Sequence, residues 1–146
     1  MPVVTQTIDI SAPLDRVYSF IADRPEGATS FIPGLNRISN VSSARADVGQ
    51  TWDYEFNWFG LVISGQTRCT TLDRPIRYQF ETVTGNHSTW TYNFEPRDTT
   101  TRVTLEVEYD VPQNMLARYA SQSLLEKMNQ ERAAEALSNL KGLLEE

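Results

Sequence analysis

The sequence predicts an α+β domain in which a long C-terminal helix lies over one face of a curved antiparallel sheet. Two observations carry this. From Asn114 to about Leu144 the chain is rich in Ala, Leu, Glu, Gln and Arg, with no Gly or Pro between Met115 and Lys141; these are good helix formers. From Leu35 to Val111, short segments with period-two alternation follow one another across turn residues, and such short connections favour an antiparallel meander.

The elements read in order as follows. Val3 to Ile10 is a strand, with Val4, Ile8 and Ile10 on one face. Pro13 suits the first helical position and Asp15 the positive end of the helix dipole. Val17, Phe20 and Ile21 then form a short buried face before Asp23-Arg24-Pro25 stops the helix. A second short helical piece covers Glu26 to Phe31 and is closed by Pro33-Gly34. Strands follow near Arg37–Ser43, Gln50–Asn57, Val62–Leu72, Arg77–Thr84, Ser88–Glu95 and Arg102–Asp110. The turns between them are Asp47-Val48-Gly49, Phe59-Gly60, Asp73-Arg74-Pro75, Gly85-Asn86 and Pro96-Arg97-Asp98.

Asn114 caps the last helix, and at 1.5 Å per residue that helix is about 40 Å long, enough to cross a small domain. Its apolar residues run Leu116, Ala120, Leu124, Met128 and then Ala133, Leu137, Leu140, Leu144. The five-residue step predicts a rotated buried face, with the two halves meeting different surroundings.

A length of 146 residues without repeats or linkers is one domain, spanning 1–146. A net charge of −6 argues against a nucleic-acid partner, since phosphate binding needs a basic surface. The single cysteine, Cys69, excludes an internal disulfide and a cysteine-based metal cluster. No signal peptide is expected, nor an integral membrane span, for which about 20 apolar residues are needed. The expected setting is the cytoplasm, as a monomer or weak homodimer without a cofactor.

The alternation is most informative in its residue types. Trp52, Tyr54, Phe56 and Trp58 share one face; Tyr78 and Phe80, then Trp90, Tyr92 and Phe94, then Val103, Leu105, Val107 and Tyr109 do the same on later strands. A dry core is built more simply from Leu, Ile and Val, whereas Tyr and Trp carry a polar tip on an apolar body. Such a face suits a cavity that holds an apolar molecule by a few hydrogen bonds. The same rings could equally fill a solid core.

The order strand, two short helices, six strands and long C-terminal helix resembles the helix-grip fold of the START-like superfamily, which includes birch-pollen-allergen-like proteins, lipid-transfer domains and polyketide cyclases/dehydrases. The residues that carry the resemblance begin with Ile8-Asp9-Ile10-Ser11-Ala12-Pro13-Leu14-Asp15-Arg16-Val17-Tyr18 and Ile21-Ala22-Asp23. Phe31-Ile32-Pro33-Gly34-Leu35, Val48-Gly49-Gln50, Asp73-Arg74-Pro75, Thr101-Arg102-Val103-Thr104-Leu105 and Asn139-Leu140-Lys141 extend it over the whole chain. It is most similar to the bacterial polyketide-cyclase/dehydrase-like branch.

The resemblance implies a curved seven-stranded sheet gripping the helix around a deep pocket for a small hydrophobic molecule: a lipid, a polyketide or another polycyclic or aromatic compound. The wall would be Trp52, Tyr54, Phe56, Tyr78, Phe80, Trp90, Tyr92, Val107 and Tyr109. Phe31, Ile32, Phe59, Leu116 and Tyr119 would form the mouth, with Leu124 and Met128 on the helix side. Carriers, receptors, cyclases and adaptors share this fold, so it does not fix a reaction.

Chemistry is sparse in the sequence. The only histidine, His87, reads as a solvated turn residue, and Cys69 as a small core residue with no basic neighbour to activate it. The candidate acid–base residues are Glu131, on the rotated helix segment, Arg68, and Tyr92. Gln66 joins Arg68 on a strand whose inward face the sequence leaves open, because a bulge at Gly65 could turn either set inward. Three readings stand: a carrier or sensor for a hydrophobic ligand, a cyclase or dehydrase performing aldol chemistry in the same cavity, and a protein-interaction module with a vestigial pocket.

Overall fold

In the computed structural model, residues 2–112 and 122–145 are described. The expected cap at Asn114 and the expected mouth residues Leu116 and Tyr119 lie outside them. The elements are β1 (Val3–Ile10), α1 (Leu14–Ala22), a 3-10 helix (Pro25–Ser30), β2 (Leu35–Ser39), β3 (Thr51–Trp58), β4 (Leu61–Asp73), β5 (Arg77–Thr82), β6 (Ser88–Arg97), β7 (Thr100–Tyr109) and α2, described from Gln122 to Leu144. The sheet is seven-stranded in the order β1-β7-β6-β5-β4-β3-β2, and every pairing is antiparallel. β2 to β7 form the meander; β1 returns to pair along its length with β7, from Val3↔Glu108 to Ile10↔Thr101. This is the helix-grip architecture.

Several boundaries differ from the sequence reading for local reasons. Pro13 is the cap residue, with extended backbone (φ −65°, ψ 148°), and the helix starts at Leu14. β2 runs Leu35–Ser39 and ends before Asn40, whose φ of 53° breaks the extended run. β6 continues through Pro96 and Arg97, which pair with Thr101 and Thr100. Pro96 lies beyond the last β5–β6 pair, Arg77↔Asn93, so its missing N–H interrupts no ladder on that side. The turn is therefore Asp98-Thr99, with Asp98 at φ 51°. The Phe59-Gly60 turn is the two-residue kind, both residues at positive φ, which suits the twist of a β-hairpin.

The irregularity in β4 falls between Cys69 and Thr71, not at Gly65. Gly65 is regular strand, paired with Tyr54. Its role is steric: a Cβ there would lie 2.2 Å from the Thr84 carbonyl oxygen. The segment after β5 folds closely over β4 at this point. The Val83 N–H donates to the Gln66 carbonyl (2.7 Å), the Gln66 N–H to Thr84 Oγ1 (2.8 Å), and the Tyr54 hydroxyl to the Thr84 carbonyl (3.0 Å).

α2 corrects the expectation of a rotated face. Leu125, Asn129, Arg132, Ala136, Leu140 and Leu144 follow one another at helical spacings of three and four, a single inward stripe. The apparent break in the apolar series arises because the middle of that stripe is polar. Leu124 is 46% exposed on the other side, and the fully buried residue is its neighbour Leu125. The C-terminal half is tied to β1 and the adjoining turn. Lys141 Nζ donates to the Asp9 carbonyl (2.9 Å), Gln6 Nε2 to Gln130 Oε1 (2.8 Å), and the Ser11 N–H to the Glu145 carboxylate (2.8 Å).

At the opposite end, α1 packs Val17, Tyr18, Ile21 and Ala22 inward. Tyr18 is fully buried, donates to the Arg77 carbonyl (2.9 Å) and meets Phe94 edge-on at 5.0 Å. Arg74 covers this ring at 4.9 Å while gripping Asp23 with both guanidinium nitrogens.

Because backbone stands where a Gly65 side chain would go, Gly65→Ala is expected to destabilise the fold by about 1–3 kcal/mol, the usual range for overpacking. Denaturant unfolding of the two proteins measures it, and an unchanged midpoint would show that Thr84 yields freely.

Candidate functional site

The inner face of the sheet, α2 and the 3-10 helix border a partly open cavity of about 160 Å³. Its position follows from the alternation on the strands. β3 contributes Trp52, Tyr54, Phe56 and Trp58; β5 Tyr78, Phe80 and Thr82; β6 Ser88, Trp90 and Tyr92; β7 Leu105, Val107 and Tyr109. Cross-strand partners share a face, so the pair Trp52↔Thr67 turns Thr67 inward on β4. All nine residues expected on the wall are there, and Phe31 and Ile32 close the end beside the 3-10 helix. The rings form a continuous sheet: Phe80 stacks on Trp90 at 5.8 Å, meets Trp52 edge-on at 5.5 Å, and neighbours Tyr78 at 5.6 Å.

The other expected residues fall elsewhere. Gln66 and Arg68 are on the outer face, paired across the ladder with Asp53 and Thr51, and Arg68 bonds Glu81 at 3.2 Å. Glu131 is exposed, seven residues after Leu124 and therefore on the same outward side. Leu124 and Met128 are off the cavity wall, as is Phe59, whose ring lies 4.6 Å beneath the Arg132 guanidinium. Of the candidate acid–base residues only Tyr92 is on the wall. His87 is exposed, and Cys69 is buried within the sheet.

What the sequence reading missed is the helix side, where Asn129, Arg132, Ala133 and Ala136 face the cavity. Asn129 is held at both ends. The Trp58 indole N–H donates to its Oδ1 and its Nδ2 donates to the Tyr109 hydroxyl, each at 2.8 Å. An indole N–H can only donate, which fixes the amide orientation. Tyr109 therefore accepts from Asn129, and its own proton has no acceptor among the described residues. Trp58 and Tyr109 also meet edge-on at 5.5 Å, 88° apart. The signal that could have found Asn129 was its four-residue spacing from Leu125; its polarity hid it.

The remaining polar groups divide sharply. Thr82, Ser88 and Trp90 satisfy one another: the Ser88 N–H donates to Thr82 Oγ1 (2.7 Å) and the Trp90 indole to Ser88 Oγ (3.1 Å). Among the described residues the buried Tyr78 hydroxyl has no partner. Burial raises the pKa of Tyr18 (to about 12), Tyr54, Tyr78, Tyr92 and Tyr109, since a phenolate would sit in an apolar surround. Near neutrality the wall is thus a set of uncharged phenols. No cluster of His, Cys, Asp or Glu able to hold a metal occurs among the described residues.

Comparison with known proteins agrees with this geometry. The family model described as polyketide cyclase/dehydrase and lipid transport matches residues 1–145. Among solved structures, the chain is similar to TTHA0849 from Thermus thermophilus (TM-score 0.80, 22% identity, 97% of this chain and 95% of that one). It is also similar to major latex-like protein 151 from Panax ginseng (TM-score 0.73, 10% identity, 98% and 97%). A START superfamily protein from Mycobacterium smegmatis superposes with a TM-score of 0.71 (15% identity, 98% and 97%). No curated protein matches. Among the described residues no helix is long and apolar enough to cross a membrane.

The wall generates two tests. Asn129→Ala strands the Trp58 indole and one bond of Tyr109, with an expected loss of about 1–3 kcal/mol in chemical denaturation; a change under about 0.5 kcal/mol would show that water replaces the amide. The second concerns alkali. A phenol whose folded pKa lies above its unfolded value near 10 stabilises the protein fully below pH 10, and that contribution is lost as pH rises through the raised folded value, about 12 for Tyr18 on α1. Stability is therefore expected to fall above pH 10, with phenolate absorbance rising together with loss of near-ultraviolet circular dichroism. Smooth titration of all the tyrosines in a still-folded protein would contradict it.

Proposed function

The chain belongs to the family of polyketide cyclases/dehydrases and lipid-transport proteins, and on that premise we propose that it is a carrier or sensor, binding a compact hydrophobic molecule in the cavity between its sheet and α2. The observation that carries this is the wall itself: a partly open space of about 160 Å³ lined mainly by aromatic and aliphatic side chains, with the unpaired Tyr78 hydroxyl on it. A cavity of about 150 Å³ holds a single aromatic ring, so a space of this size suits a compact aromatic group. Uncharged tyrosines would orient it by hydrogen bonds to its oxygen atoms.

A cyclase or dehydrase would use the same space, but aldol chemistry calls for a group that exchanges protons near neutrality. The described wall contains no Asp, Glu or His, and burial makes its phenols weaker acids than usual. That favours binding over catalysis. An interaction module with a collapsed pocket is disfavoured by the cavity's volume. The exposed large apolar residues, among them Val3, Val48, Val62 and Ile76, also lie on separate elements and form no one strand face.

Native mass spectrometry of the purified protein, with extraction of bound material, tests the reading directly. Ala133→Phe places a ring on the cavity wall; it is expected to leave the melting temperature unchanged or raised, and to weaken binding of an aromatic probe at least about tenfold, about 1.4 kcal/mol. Quenching of wall-tryptophan fluorescence reports the affinity. A folded Ala133→Phe protein that binds the probe as well as wild type would place the ligand elsewhere.

A further inference from the structure

We propose that the ligand is an anion, specifically a hydrophobic carboxylic acid whose carboxylate is bound by Arg132 while its ring system occupies the aromatic wall. This rests on the cavity being the binding site. The described lining contains one charged side chain, Arg132. The chain has an excess of acidic over basic residues, 19 to 13, and Arg37, Arg68, Arg74, Arg97, Arg102 and Lys141 form ion pairs; of the described cations that do not, Arg16, Arg24, Arg45, Arg77, Lys127 and Arg132, only Arg132 lines the cavity. Arg132 forms none with a described residue. Glu135, one turn further along α2, is exposed and does not pair with it, and Glu131 points outward. The guanidinium packs over the Phe59 ring at 4.6 Å. That contact supports the guanidinium on one face and leaves its N–H edge available.

The neighbouring chemistry points the same way. Asn129 lies one turn before Arg132 on the same stripe, so the two share one side of the cavity. Its oxygen is already used by Trp58, and its bond to Tyr109 leaves that phenol's proton to be donated. This part of the wall thus offers donors and a positive charge, with no carboxylate to compete. A planar guanidinium matches a carboxylate with two parallel hydrogen bonds, and such charge-assisted pairs are the strong ones. A neutral ligand would leave the cation half-buried without a counter-charge; a cationic ligand would be repelled.

The test compares 2-naphthoate with its methyl ester by isothermal titration calorimetry at neutral pH, on wild type and on Arg132→Gln. Wild type is expected to bind the acid at least about tenfold more tightly than the ester, a difference of about 1.4 kcal/mol. Arg132→Gln is expected to abolish that preference by weakening the acid far more than the ester, and Arg132→Lys to restore part of it. Equal binding of acid and ester by wild type overturns the inference without any variant, and leaves the cavity as a site for neutral molecules. A preference for the acid that survives in folded Arg132→Gln overturns the role of Arg132. Failure of both compounds to bind wild type defeats the cavity reading, and this inference with it.

Discussion

The pairing of β1 with β7 is the interaction on which the rest of this structure depends. It joins residues about a hundred positions apart, from Val3↔Glu108 to Ile10↔Thr101, and so is the longest-range strand pairing in the sheet. Closing the loop between them is entropically costly before any contact rewards it, and the reward is concentrated at this seam. Arg102 grips Asp9 through two bonds of 2.8 and 3.1 Å, and Thr101 Oγ1 donates to the Ala12 carbonyl at 2.8 Å. β1 is also the strand to which α2 is fastened, through Asp9 and Gln6, with Ser11 just after it bonding Glu145 just past the helix. The ion pairs are partly exposed and individually weak; the apolar residues beneath them, Val4 and Ile10 with Val103 and Leu105, are buried and provide most of the adhesion.

This seam also explains why the cavity exists. α2 is anchored at its C-terminal end on β1, and its middle bridges to the sheet through Asn129, Trp58 and Tyr109. Held at these points, the helix cannot settle onto the aromatic rings. Small residues, Ala133 and Ala136, face those rings. Large rings on one wall and methyl groups on the other leave space that neither fills.

The strands and their inward faces were legible because period two is strict and because Gly, Asp-Arg-Pro and Asn mark the turns; parity put the nine wall residues on the inward face, while the cavity itself was an expectation from the resemblance. The spatial place of β1 was not, since local pattern does not say which distant strand pairs with it. On β4 the faces were ambiguous from sequence, where Thr, Gln, Arg and Cys give no clean alternation. Register resolves it, Thr67 lying opposite Trp52 and Arg68 opposite Thr51. On α2 the error had a physical origin. Reading the inward stripe by hydrophobicity placed Leu124 inside and excluded Asn129 and Arg132, whereas the stripe is fixed by geometry and carries polar groups where the cavity needs them. Glu131 was drawn inward by the same mistaken rotation.

Cys69 gives the sheet a use beyond its architecture. It is the only thiol in the chain, 1% exposed, beside the irregularity in β4, and burial makes it less acidic than a free cysteine. A thiolate, not a thiol, attacks disulfide reagents, so the closed protein presents almost nothing to them. Modification must wait for β4 to separate from its neighbours. The rate of labelling is consequently a clock for sheet opening, readable without introducing any probe. A molecule seated against the same strands should slow that clock by the factor with which it holds the closed form.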